Sequence, residues 1–70
     1  MSGLNAAILA AHTSNDRAAL IGYYTDAADG ANEEDAACFF LTYAYIYALE
    51  LGDMRAAALH QRLVDAGREE

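Results

Sequence analysis

The chain has 70 residues, a formal charge of −7, no proline, one cysteine, and alanine at about a quarter of its positions. That length allows a single domain over 1–70, which buries only about 60% of the surface its unfolded chain exposes. The lone Cys38 cannot reinforce it with an internal disulfide. The negative field repels nucleic-acid phosphates and anionic lipid surfaces, so neither is expected as a partner, and a macromolecular partner should be neutral or basic.

Without proline, only glycines and short polar runs interrupt helix, and alanine favours it throughout. The first predicted helix covers about 3–13, with Leu4, Ala7, Ile8 and Ala11 on one stripe. Its N-terminal stretch lacks the basic start and unbroken apolar run of a signal peptide. After Ser14-Asn15-Asp16, the second helix covers about 16–28. There Leu20, Tyr23, Tyr24, Ala27 and Ala28 lie together, and Gly22, Thr25 and Asp26 face away. The run Asp29-Gly30-Ala31-Asn32 precedes the third helix, about 33–51, and Gly52-Asp53 precedes the fourth, about 53–66. In the fourth, Ala56, Leu59, Leu63 and Ala66 point inward and Arg55, Arg62 and Asp65 point to water.

Each boundary has a chemical reason. Asn15 or Asp16, Asn32 and Asp53 can accept hydrogen bonds from the free N–H groups of the helix that follows. Glu33, Glu34 and Asp35 put negative charge in a first turn, where the helix dipole favours it. Gly30, Gly52 and Gly67 stand where a helix end accepts a left-handed residue. Links this short make neighbouring helices antiparallel, so the fold class expected is all-α, four helices in two αα-hairpins at about 3–28 and 33–67.

The third helix stands apart. Residues 36–51 hold five aromatics, and only Thr42 and Glu50 are clearly polar. One side carries Ala37, Leu41, Ala44, Ala48 and Leu51. Phe40, Tyr43 and Tyr47 cover the adjacent flank, and Phe39, Thr42, Ile46 and Leu49 look the opposite way. A helix apolar on every side must be covered on every side. The face Phe39, Thr42, Ile46, Leu49 is therefore the expected interaction face of a homodimer. If the first helix covered it instead, the result would be a compact monomeric bundle. The segment is shorter than the ~20 residues a membrane span needs and has acidic flanks, so a soluble, cytoplasmic protein is expected.

A shift of 37 positions lays Leu4 on Leu41, Ala7 on Ala44, Ala11 on Ala48, Asp16 on Asp53, Ala19 on Ala56 and Gly30 on Gly67. The second hairpin also places Phe40, Tyr43, Ala44, Tyr47 and Ala56 at spacings that resemble the tetratricopeptide repeat. In the first hairpin Ala7, Ala19 and Tyr23 keep part of the pattern. The chain departs from the family where Arg68 replaces the closing proline, Gly52 comes one residue late, and His60 replaces an aromatic. The resemblance implies TPR-like hairpin packing and a protein-interaction module without enzymatic activity.

Other candidate sites weigh less. Tyr23, Tyr24, Phe40, Tyr43 and Tyr47 suggest an aromatic pocket, and with it an alternative function as a small-molecule-binding regulator. Aromatic rows at helical spacing more often serve as core with their hydroxyls at the rim. His12, His60 and Cys38 lack the inward carboxylates or Glu-x-x-His pairs that bundle metal sites use. His12 is expected at the C-terminal end of its own helix, and His60 at the rim of the core. The acidic group Asp26, Asp29, Glu33, Glu34 and Asp35 fails the ligand spacing of a calcium loop. No nucleophile–base pair, phosphate-cradling glycine loop or CxxC motif occurs, so no cofactor and no catalytic residues are assigned.

Overall fold

The computed structural model describes residues 3–68, all helix and connecting turn. Four helices follow one another: α1 (Gly3–Thr13), α2 (Arg17–Asp29), α3 (Glu34–Leu51) and α4 (Arg55–Asp65). They form the expected all-α fold of antiparallel hairpins. Backbones approach only between consecutive helices, α1 on α2, α2 on α3 and α3 on α4. The result is a flat, staggered layer measuring 32 × 29 × 12 Å. α1 flanks α2 and does not lie over the outward side of α3, so the compact bundle is not the arrangement adopted.

The turns explain the helix ends. α1, α3 and α4 close in the same way, on a left-handed residue: Asn15 (φ 56°), Gly52 (φ 64°) and Gly67 (φ 79°). In each, the next backbone N–H reaches back to the last turn of its helix, Asp16 to the Ala11 carbonyl (2.8 Å), Asp53 to Ala48 (2.8 Å) and Arg68 to Leu63 (2.9 Å). Asn15 and Gly52 are 37 positions apart, so the repeat noticed in the sequence coincides with a repeated turn. Gly30 departs from expectation. It ends α2 with φ −91°, a conformation open to any residue, and its N–H bonds within the helix end.

The N-termini also differ in part from expectation. Asp16 caps α2, its Oδ1 accepting from the Ala19 N–H at 3.2 Å. Asp53 accepts from the Arg55 N–H at 2.8 Å, two residues ahead of the first residue of α4. Asn32 does not cap α3. Its N-cap residue is Glu33, in an extended conformation with no side-chain cap bond, and the charges of Glu34 and Asp35 in the first turn take over that role.

One cluster of buried side chains spans three helices: Ile21 and Ala28 from α2, Cys38, Leu41, Ala44 and Ala48 from α3, Leu59 and Leu63 from α4. Ala11 of α1 and Leu20 of α2 are buried outside it. Ile21 is fully enclosed, although the apolar stripe assigned to α2 passes it by. The reason is position. α2 has α1 on one side and α3 on another, while Arg55 of α4 reaches the Ala18 carbonyl at 3.4 Å and covers Gly22. A helix flanked three ways buries more than one stripe, and Gly22 and Thr25 are accordingly half-buried rather than facing water.

Candidate functional site

α3 meets its neighbours through small residues, with Ala44 and Ala48 fully buried between α2 and α4. That close approach turns the larger side chains of α3 in two directions. On the flank toward α2 and α1 they form an aromatic cluster around Tyr24. Its ring stacks against Tyr43 at 5.4 Å, Tyr47 at 6.1 Å and Phe40 at 6.2 Å between centroids. His12 meets Tyr24 and Tyr47 edge-on at 6.0 and 6.2 Å. Such pairs contribute about 0.5–1.5 kcal/mol each beyond the area they bury.

His12 does not simply sit at the end of its own helix. Its Nε2 shares a 2.9 Å hydrogen bond with the Tyr24 hydroxyl, tying the last turn of α1 to α2. Burial, together with the nearby phenols of Tyr47 and Tyr43, holds the Tyr24 phenol above its ordinary range. Tyr23 is separate from this cluster. It lines a cleft of about 180 Å³ between α1 and α2, with Ala7, Ala11, Asp16 and Ala19. Of the five residues expected to share an aromatic pocket, four come together, and they fill one another's faces.

The opposite direction is the outward face of α3. Phe39 (55% exposed), Ile46 (42%) and Leu49 (56%) project from the layer, with Thr42 exposed among them. Tyr43, 39% exposed, touches both regions, since Phe39 packs edge-on against it at 5.0 Å. Phe39 and Tyr43 thus join the outward face to the aromatic cluster. The Thr42 hydroxyl donates to the Cys38 carbonyl at 2.8 Å and is thereby satisfied inside the helix.

The remaining candidates are dispersed. His60 packs against Tyr45 at 5.5 Å, on the rim as expected. Cys38 is buried at a cleft of about 390 Å³ between α3 and α4, with Leu41, Ala66, Glu34, Arg62 and Asp65 around it. Among the described residues no group of three or more His, Cys, Asp or Glu is gathered as a metal site would require. Within the acidic group, Asp29 pairs with Arg62 at 2.7 Å and Asp35 with Arg68. At the other end of the layer, Arg17 faces Glu50 at 3.4 Å, and Arg55 holds the Asp53 carboxyl down to about 2 through side-chain and backbone hydrogen bonds.

No helix among the described residues is long and apolar enough to cross a membrane. Compared with protein-family models, curated proteins and solved structures, the chain matches none of them.

Proposed function

We propose that this chain is a small acidic protein-interaction module that acts as a homodimer, joined through Phe39, Thr42, Ile46 and Leu49 on the outward face of α3. The observation that carries the reading is the contrast within one helix: Ala44 and Ala48 are fully buried while Phe39 and Leu49 remain more than half exposed. Contiguous apolar surface of this kind marks an association site. A twofold axis places the same patch on both subunits, so one substitution acts twice. The further partner, a protein, is neutral or basic to suit a charge of −7. Nucleic acid and membrane lipid are repelled by the same charge. In this reading the hairpins are TPR-like units, supported by the matching turns at Asn15 and Gly52, and the work is binding, without catalysis. A reducing, cytoplasmic setting suits the single buried thiol of Cys38. The alternative, a small-molecule regulator with its pocket at Tyr24, Phe40, Tyr43 and Tyr47, is the weaker reading, because these rings already stack on each other.

Sedimentation at micromolar concentration tests the proposal. A dimer is expected for the native chain, and a monomer of unchanged helicity for Ile46→Glu. A native species of 7.5 kDa, or an Ile46→Glu variant that still pairs, would refute it.

A further inference from the structure

We propose that the cleft between α3 and α4 takes a lysine side chain from a basic protein partner. The alkyl stem of that lysine lies on the cleft floor, and its ammonium meets Glu34 and Asp65 at the rim. The proposal rests on the reading above only for the charge of the partner, and is independent of the homodimer.

Unmatched charge is the first support. Because consecutive helices run antiparallel, the C-terminal ends of α2 and α4 share one end of the layer with the N-terminus of α3. Six carboxylates stand there: Asp26, Asp29, Glu33, Glu34, Asp35 and Asp65. Asp29 holds Arg62 and Asp35 holds Arg68, so the other four have no ion-pair partner among the described residues. At the opposite end Glu50 and Asp53 hold Arg17 and Arg55, and the remaining acid, Asp16, is engaged as a helix cap. The field of the molecule therefore draws a cation to one end rather than to both.

The cleft gives that cation a place. Its volume is about 390 Å³, and Ala37, Cys38, Leu41 and Ala66 form an apolar floor. Exposed Glu34 and Asp65, two of the four unmatched carboxylates, stand at the rim. Arg62 stands there too, but its guanidinium is bonded to Asp29 at 2.7 Å. A lysine lays its stem along apolar surface while keeping its charge in the wet rim, which suits this arrangement.

Cys38 is an independent support. It is only 4% exposed at the cleft, and its sulfur makes no hydrogen bond among the described residues. Thiol sulfur is a weak acceptor, and an ammonium carries three donors and no acceptor. Two carboxylates and one sulfur therefore present acceptors to a group that has only donors to give.

Amide chemical shifts of the full chain, followed as a short capped lysine–alanine peptide is added, test the site. Saturable shifts centred on Ala37, Cys38, Leu41 and Ala66 are expected. At low salt, Glu34→Gln and Asp65→Asn should each weaken the peptide about 2- to 5-fold, as loss of an exposed ion pair does. Asp26→Asn removes the same charge from the same end of the layer, outside the cleft, and should leave the affinity unchanged. Circular dichroism checks that all three variants keep their helicity. A lysine peptide that moves none of the four amides would overturn the proposal. Equal weakening by the three variants would overturn it in favour of diffuse attraction, and equally tight binding of a norleucine–alanine peptide in favour of a merely apolar groove. None of these outcomes bears on the dimer, which sedimentation tests separately.

Discussion

α1 and α3 occupy equivalent places in the two hairpins, and the shift of 37 positions gives them matching residues, yet they are buried to different extents. Leu41 is 4% exposed and Ala44 is fully enclosed, whereas Leu4 and Ala7 are only half-buried. Ala48 and Ala11 are both buried, and Ala11 is the one residue of α1 that is. The residues are the same and the neighbours are not. α3 lies between two helices, while the backbone of α1 rests on α2 alone. Local sequence places a side chain on a face, and the number of flanking helices decides how much of that face leaves water.

The largest test of this contrast is truncation at matched positions. Leu41→Ala should cost about 2–5 kcal/mol, the range for emptying an enclosed leucine site. Leu4→Ala should cost about 1 kcal/mol, because its side chain gives up less buried area. Chemical denaturation at one fixed protein concentration reads both, since association would otherwise move the midpoints. Equal losses would break the comparison. A smaller effect is expected from overpacking: Ala44→Leu should cost about 1–3 kcal/mol, and Ala7→Leu should be close to neutral. A shared denaturation midpoint would mean that α1 is held as tightly as α3.

The smallest effect concerns the contact joining α1 to the rest. The Tyr24 phenol titrates above its ordinary value of 10.0 in the folded chain and returns to that value on unfolding. Below pH 10 both states keep the proton and nothing is lost. As pH rises past 10 the unfolded chain ionises first, so stability falls until the folded-state value is passed. Tyr24→Phe removes that slope and, at neutral pH, loses the bond to His12 at a cost of about 0.5–1.5 kcal/mol. An alkaline stability profile identical in the two proteins would show that Tyr24 does not titrate in this range.

Much of the layout was legible before any coordinates. The breaks at Asp16 and Gly52 and the inward face of α4 depend on local chemistry, namely caps, a left-handed residue and an amphipathic period. The outward position of Phe39, Thr42, Ile46 and Leu49 followed from the helical period alone. What escaped was set by distant parts of the chain. Ile21 lies off the apparent stripe of α2 because two further helices close over it. His12 finds its partner twelve positions away on another helix, and Tyr23 turns from its expected companions because α1 packs on that side. The missing cap at Asn32 is a local failure: the adjacent acidic side chains offered the helix dipole another solution.

The bond from Thr42 back to the Cys38 carbonyl has an evolutionary consequence. It keeps that polar group self-contained, so Thr42 asks for no partner beyond its own helix. On the proposed reading, mutation can rewrite Ile46 or Leu49 and change the partner, while Leu41, Ala44 and Ala48 go on specifying the same fold. A lineage built on this layer could change allegiance one surface residue at a time, without passing through an unfolded ancestor.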